Sequence, residues 1–161
     1  MEVAEFNALP DPEATALVSG CLGVPRWVAD VVAGRPYADP AGLRKRAHDA
    51  ALQLSDDELE AALSRHPRIG QRPSGDDRES RHSRAEQAGV GDDDAERLRA
   101  GNAAYEARFG HVFLIRAAGR SSAEILAELE RRLGNDAATE REETVTALRD
   151  IALLRLEGSL G

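Results

Sequence analysis

The sequence predicts an all-α protein, a single compact domain of about seven to nine helices with one short extended connector near residues 111–117. Aromatic residues make up only 4% of the chain while hydrophobic residues make up 42%. The core must therefore consist of Ala, Leu, Val and Ile, a composition that favours helices. The single strand-like run, HVFLIRA at 111–117, lacks the partner strands that a sheet needs.

Start and stop signals give the expected position of each helix. We expect helices over residues 13–22, 26–33, 41–53, 55–65, 83–88, 92–109, 121–134 and 139–157. Ser55 with Glu58, and Ser121 with Glu124, have capping-box spacing, which marks two helix starts. The polar segment 71–80 contains proline and glycine and is predicted to be a loop.

The composition restricts the class of protein and its surroundings. The 161 residues show no internal repeat and no shift in composition, so residues 1–161 are predicted to form one domain. A formal net charge of −8 argues against nucleic acid as a partner, since phosphate binding needs a basic face. The one cysteine, Cys21, excludes an internal disulfide and fits a reducing compartment.

The sequence also predicts a cytoplasmic protein with no membrane partner. No apolar run approaches the roughly 20 residues that are needed to span a bilayer. The acidic N-terminus lacks the basic and apolar regions of a signal peptide. The C-terminal EGSLG carries no peroxisomal address.

The segment SRHPRIG at 64–70 contains the first candidate for chemistry. Pro67 disfavours the α conformation in the residue before it, so a helix should end at or before His66. An imidazole near a helix C-terminus is favoured in its charged form, whereas Arg65 and Arg68 oppose that charge. Because histidine titrates near pH 6.5, roughly at neutrality, His66 is a candidate acid–base residue. On these residues alone, a helix stop with a surface histidine is the favoured interpretation.

A second polar cluster follows at SRAEQ, residues 83–87. In a helix, Ser83, Glu86 and Gln87 share one face, which offers a hydroxyl, a carboxylate and an amide. The same residues fit the first turn of an exposed helix, with Ser83 as its cap and Glu86 completing a capping box. His82 and Glu86, together with His66, also imitate a metal site of two histidines and one carboxylate, although no zinc-enzyme signature is present.

The stretch from 65 to 84 is modestly basic within an acidic chain. Its arginines are Arg65, Arg68, Arg72, Arg78, Arg81 and Arg84, against the acidic Asp76, Asp77 and Glu79. Arginine presents a planar fork that matches a carboxylate, so this stretch suits a small anionic substrate. A solvated charged loop explains the same pattern.

Several segments occur in an order that is typical of one enzyme family. They are RW at 26–27, RPYADPAGL at 35–43, HPRIG at 66–70, SRAEQAG at 83–89, NAAYEARFGHVFLIRAAGRS at 102–121 and ALLRL at 152–156. From Asn7 to Leu156, the chain resembles the 2-oxo-4-hydroxy-4-carboxy-5-ureidoimidazoline (OHCU) decarboxylases of urate degradation. The resemblance implies an all-helical, cofactor-free enzyme of the bacterial cytoplasmic type, often a homodimer. It would release CO2 from OHCU, form (S)-allantoin and be functionally coupled to a hydroxyisourate hydrolase.

The resemblance also implies roles for individual residues. His66 is the expected acid–base residue, with Glu86 as the second catalytic residue. The expected substrate-binding residues are Pro67, Ser83, Arg84, Ala85, Glu86, Gln87, Phe113, Leu114, Ile115, Arg116, Ala117 and Arg155. The run 113–117 is expected to bind the ring and ureido groups largely through its backbone, and Arg155 to contact the negatively charged substrate. No metal ligand is expected, and His82 lies outside the family pattern.

The chemistry of the implied reaction explains why no cofactor is expected. The substrate carboxylate sits next to a C=N bond, which accepts the electron pair that CO2 leaves behind. The site must therefore orient the carboxylate, stabilise charge and deliver a proton to one face. Two alternatives remain open on sequence grounds: a metal-dependent hydrolase using His66, His82 and Glu86, and a non-catalytic helical interaction module.

Overall fold

The computed structural model describes residues 1–68, 78–87 and 94–160. Over these ranges the chain forms nine helices and no strand, which confirms the all-α prediction. The helices are α1 (Val3–Ala8), α2 (Asp11–Ser19), α3 (Pro25–Ala33), α4 (Pro40–Ala51), α5 (Asp56–Ser64), α6 (Arg78–Glu86), α7 (Ala95–Phe109), α8 (Ser122–Leu133) and α9 (Ala137–Leu160). None of the helices in the described ranges is long and apolar enough to cross a membrane.

The chain divides into two units. Unit 1 comprises Met1–Ala62 with Arg149–Gly161, and unit 2 comprises Leu63–Leu148. The single domain over 1–161 stays a prediction from the sequence. Most of the residues that were expected in the site belong to unit 2, and Arg155 belongs to unit 1.

Two helix starts follow from local hydrogen bonds that the sequence predicts. At the start of α5, the Ser55 N–H donates to Glu58 Oε1 at 2.9 Å and the Glu58 N–H donates to Ser55 Oγ at 3.1 Å. Ser121 and Glu124 form the same reciprocal pair before α8. Each capping box satisfies two backbone donors that would otherwise lack a partner, so both predicted starts are confirmed.

Two helices differ from the prediction: one is short and was not predicted, and the other is polar and begins earlier than predicted. The first is α1, which has only six residues and buries Val3 and Phe6 at i, i+3 spacing. The second is α6, which begins at Arg78 rather than at Ser83, so residues 78–80 are helical and not part of a loop. Arg and Glu favour helices, but they leave no apolar periodicity to detect. The rest of the predicted loop, residues 71–77, lies outside the described residues.

Unit 1 is organised around α3. This helix packs against α2 and α4, and Trp27 is fully buried with its indole nitrogen donating to the Ala47 carbonyl oxygen at 2.9 Å. Arg26 binds Glu58 at 2.9 Å. Because Glu58 also closes the capping box of α5, α3 contributes to fixing the start of the helix that leads to His66.

Unit 2 buries the extended connector that was predicted near 111–117. The side chains of Phe113, Ile115 and Ala117 pack with Tyr105 in one hydrophobic cluster. The connector follows Gly110, whose φ of 80° ends α7 and whose N–H donates to the Glu106 carbonyl oxygen at 2.8 Å. A residue with a side chain is strained at that φ, so glycine suits the sharp exit from the helix.

A buried ion pair joins α8 to α9 within unit 2. Arg132 and Glu140 are only 3% and 1% exposed, and Arg132 Nη2 lies 2.7 Å from Glu140 Oε2. The Tyr105 hydroxyl donates to the same carboxylate. Burial alone raises the pKa of Glu140, but the hydrogen bonds from Arg132 and Tyr105 outweigh it and hold that pKa below its ordinary value of 4.5.

This ion pair predicts a loss of stability in acid. Because the folded state lowers the pKa of Glu140, its carboxylate stabilises the fold above pH 4.5 and loses that contribution as the pH falls through the lowered pKa. We expect the urea midpoint of the wild type to exceed that of Glu140→Gln at pH 7, and the difference to shrink below pH 4.5. Glu130→Gln, at an exposed position of α8, should show no such trend. A difference that is constant from pH 7 to pH 3 would contradict this account.

Candidate active site

His66 lies just past the end of α5, as Pro67 predicts. The last helical residue is Ser64, and the His66 N–H donates to the Leu63 carbonyl oxygen at 3.2 Å, which closes a final tight turn. Two residues later, Arg68 Nε lies 2.7 Å from Glu106 Oε1 on α7. The imidazole is therefore carried by a short segment that is held at both ends, by a helix terminus and by an ion pair.

His66 opens onto a small cleft between the end of α5 and the face of α6. The cleft has a volume of about 210 Å³. Its lining residues are Ser64, Arg65, His66, Pro67, Glu79, Ser80 and Ser83. Around the imidazole the cleft thus gathers one guanidinium, one carboxylate and three hydroxyl groups, a set that suits a small polar anion.

Glu79, Ser80 and Ser83 of α6 supply the far wall of the cleft, whereas Glu86 and Gln87 do not line it. Glu79, Ser83 and Gln87 follow each other at i, i+4 spacing, and Ser83 and Gln87 are each only 3% exposed. Ser83 lies in the middle of the helix, so its interpretation as the cap of an exposed helix was wrong. Glu86 is partly buried beside Gln87, while Ala85 is exposed. The predicted cluster is therefore a helix face, with Ala85 outside it.

The cleft also contains charged residues that the sequence did not indicate as site residues. Arg65 Nε lies 3.4 Å from Glu79 Oε2, with the two side chains 53% and 17% exposed. Glu79 was missed because α6 was expected to begin one turn later, at Ser83. A helix that starts at Arg78 places Glu79 on the same face as Ser83.

The connector 113–117 offers backbone groups rather than side chains. The side chains of Phe113, Ile115 and Ala117 are buried in the hydrophobic cluster, and the Arg116 side chain is exposed. Two carbonyl oxygens of this segment accept hydrogen bonds. Leu114 accepts from Arg132 at 2.6 Å, and Ala117 accepts from the Arg120 N–H at 3.0 Å.

Two arginines complete the set of residues that were expected in the site. Arg84 is partly buried on α6. Arg155 is buried on α9, 3% exposed, and its carbonyl oxygen accepts from the Ser159 hydroxyl at 2.9 Å. Because Arg155 belongs to unit 1, its contact with the substrate stays a prediction.

The alternative metal site does not assemble. In the part of the chain that the structure describes, which includes His66, His82 and Glu86, no three His, Cys, Asp or Glu side chains are grouped so that they would hold a metal ion. A zinc ion needs three or four such ligands at about 2 Å. The three residues of the hydrolase hypothesis are therefore not arranged as metal ligands.

Comparison with known proteins identifies the chain. The family model of OHCU decarboxylase matches residues 7–157. A curated relative, the 2-oxo-4-hydroxy-4-carboxy-5-ureidoimidazoline decarboxylase of Amia calva, is 33% identical over 163 residues, which cover 98% of this chain and 93% of the relative. The helical fold and these matches define the class of the protein as a carboxy-lyase. The chain belongs to the OHCU decarboxylase family.

Two solved structures share the fold. A crystal structure of OHCU decarboxylase in the presence of (S)-allantoin matches with a TM-score of 0.75 and 25% identity, covering 88% of this chain and 95% of that one. A crystal structure of (S)-allantoin synthase also gives a TM-score of 0.75, at 18% identity, and covers 98% of this chain but 54% of that one. The second match supports the fold alone.

Proposed function

We propose that this chain decarboxylates OHCU to (S)-allantoin and CO2 without a cofactor, using His66 as its acid–base residue. The observation that carries the proposal is the cleft in which His66 faces the polar face of α6. Membership of the OHCU decarboxylase family supplies the substrate. The similar OHCU decarboxylase that was crystallised in the presence of (S)-allantoin supports the product.

The proposed mechanism needs little chemistry from the protein. When the C–C bond to the carboxylate breaks, CO2 leaves and the electron pair forms a C=C bond, while the adjacent C=N bond opens onto its nitrogen, which takes up a proton. A second proton is then added to the neighbouring ring carbon that carries the ureido group, and the carbon that lost CO2 becomes a carbonyl as its hydroxyl releases a proton. Because either face of the planar intermediate accepts a proton in water, a fixed donor is required for a single enantiomer.

His66 is the proposed proton donor because of how it is held. Pro67 and the end of α5 fix the backbone, and Arg68 ties the following residues to Glu106. The donor therefore reaches the reacting carbon from one side only. The partly buried Glu86 is proposed to hold the imidazole or a ring N–H of the substrate in place.

Recognition of the substrate is proposed to come from two elements of unit 2. Ser83 on α6 and Gln87 directly after it are proposed to present a hydroxyl and an amide, which pair with the donors and acceptors of the ureido and ring amides. The backbone of 113–117 is proposed to bind the remaining ring groups. Arg155, as the family resemblance implies, would offset the negative charge of the substrate. Arg65, which lines the cleft, is a second candidate for that role.

The direct test is a coupled assay that measures the chirality of the product. OHCU is generated in situ from urate, and its decay is followed by ultraviolet absorbance and circular dichroism with and without the protein. We expect faster decay and (S)-allantoin in excess. Racemic allantoin, formed at the uncatalysed rate, would refute the proposed function.

The role of Glu86 predicts a specific phenotype. We expect Glu86→Gln to lower kcat by about 10-fold or more, as for other groups that assist proton transfer, without changing the urea midpoint. The amide keeps the shape of the side chain but loses the charge that orients an imidazole or a ring N–H. An equal loss of stability and activity would assign Glu86 to the fold instead.

The proposal also covers the oligomeric state, the compartment and the functional partner of the enzyme. We propose a homodimer in the cytoplasm that is functionally coupled to a hydroxyisourate hydrolase, all of which rests on the family resemblance. Light scattering after gel filtration tests the dimer. A monomer at micromolar concentration would refute it.

A further inference from the structure

Arg132 connects the buried ion pair of unit 2 to the connector. Its Nε and Nη2 groups donate to Glu140 at 2.9 and 2.7 Å, and Nη2 also donates to the Thr144 hydroxyl at 3.3 Å. The remaining nitrogen, Nη1, donates to the Leu114 carbonyl oxygen at 2.6 Å. Glu140 therefore holds the guanidinium of Arg132 in place, and the guanidinium in turn holds the Leu114 carbonyl.

A second contact aligns the neighbouring side chain. The guanidinium carbon of Arg132 lies 4.7 Å from the centre of the Phe113 ring, a cation–π distance. The Tyr105 ring also contacts Phe113, with the ring centres 5.2 Å apart and the ring planes at 66° to each other. Two consecutive residues of the connector, Phe113 and Leu114, are therefore held by the same guanidinium.

We infer that Arg132 is a positioning residue for OHCU decarboxylation, because it sets the orientation of the connector backbone that is proposed to bind the substrate. The inference rests on the proposed function and deepens it. Arg132 donates to the Leu114 carbonyl, so one of the two acceptor positions of that oxygen is filled. The Ala117 carbonyl also accepts one hydrogen bond, so we expect this segment to bind the substrate mainly through its N–H groups.

That bias has a chemical consequence. N–H donors suit the carbonyl oxygens of the ring and ureido groups, and they also suit negative charge that spreads onto ring oxygens or nitrogens as CO2 departs. A donor that is misplaced by about 1 Å costs on the order of 100-fold in rate. Arg132 therefore acts on the reaction through the backbone and does not touch the substrate.

The decisive variant removes Arg132 without leaving a charge buried. In Arg132→Met/Glu140→Gln both members of the pair are neutral, and the amide oxygen introduced at position 140 still accepts from the Tyr105 hydroxyl. Replacing a buried pair in this way preserves stability better than removing one partner. We expect a folded protein whose kcat falls by about 10- to 100-fold and whose allantoin is less enantiomerically pure.

The matched control removes an exposed ion pair from the same helix. Arg131 is half exposed and binds both Glu128 at 2.8 Å and Glu143 at 2.6 Å. We expect Arg131→Met/Glu128→Gln to keep kcat, KM and product chirality within about twofold of the wild type, as for surface changes in general. Urea unfolding of both double variants separates stability from activity. A folded Arg132→Met/Glu140→Gln protein with wild-type kinetics and chirality would overturn the inference.

A second variant decides the matter if the double variant does not fold. Arg132→Lys keeps the buried charge but replaces the fork by one ammonium group, which cannot hold both Glu140 and Leu114 in the same geometry. A folded lysine variant with lowered kcat and reduced enantiomeric excess supports the inference, and one with unchanged values overturns it. An inactive wild type would instead refute the proposed function itself, so the two failures are distinguishable.

Discussion

We expect His66→Asn to lower the rate of OHCU decarboxylation by on the order of 100- to 10,000-fold, the usual contribution of a positioned acid–base group. Asparagine retains a polar side chain of similar reach but does not exchange a proton near neutral pH. The helical fold should persist, because His66 lies past the end of α5 and is only partly buried. The measurement is the decay of OHCU under saturating substrate, with circular dichroism of the product.

The matched control for this substitution is His82→Asn. His82 lies on α6 but does not line the cleft that contains His66, so the decarboxylase hypothesis expects wild-type activity. A metal-dependent hydrolase would instead lose activity in both variants and on treatment with a chelator. Wild-type rates of (S)-allantoin formation in His66→Asn would show that the proton comes from another group.

We expect Glu140→Leu to destabilise the fold by roughly 3–5 kcal/mol, because the substitution leaves the Arg132 guanidinium buried without its carboxylate. The Tyr105 hydroxyl loses its acceptor at the same time. Burial and the hydrogen bond to Glu140 raise the pKa of Tyr105 well above its ordinary value of 10.0, so the hydroxyl stays protonated and needs an acceptor. Urea unfolding at pH 7 measures the loss.

A neighbouring glutamate on α9 provides the control. Glu142 is exposed, so Glu142→Leu should change the free energy of unfolding by no more than about 0.5 kcal/mol. Similar midpoints for Glu140→Leu and Glu142→Leu would mean that the buried ion pair contributes little to the stability of unit 2.

Local features of the fold and the site were predictable from the sequence. Pro67 acts on the residue before it, and the capping boxes at Ser55 and Ser121 join residues three apart, so each signal is complete within one helical turn. The same holds for the end of α5 ahead of His66. The sequence therefore predicted where the imidazole is presented, although not what surrounds it.

Features that depend on distant or polar contacts were not predictable. The sequence RESRHSRAE has no apolar stripe, so the true start of α6 and the position of Glu79 in the cleft were missed. Arg132 and Glu140 are charged residues, a type that is almost never fully buried without a partner, and nothing local identifies that partner. The link from this pair to the Leu114 carbonyl is visible only in three dimensions.

Two contacts made by α7 bear on the size of the substrate that the proposed site would accept. Glu106 anchors the segment that carries His66, and the adjacent Tyr105 packs against Phe113 at the start of the connector. Consecutive residues point about 100° apart around a helix. One turn of α7 therefore contacts both the segment that carries His66 and the connector, and it keeps the two apart at a fixed distance. The distance between His66, the proposed proton donor, and the connector backbone that is proposed to bind the substrate is therefore set by α7 and not by loops. A fixed distance favours a ring of one size, so we expect a bulkier heterocycle to be a poorer substrate.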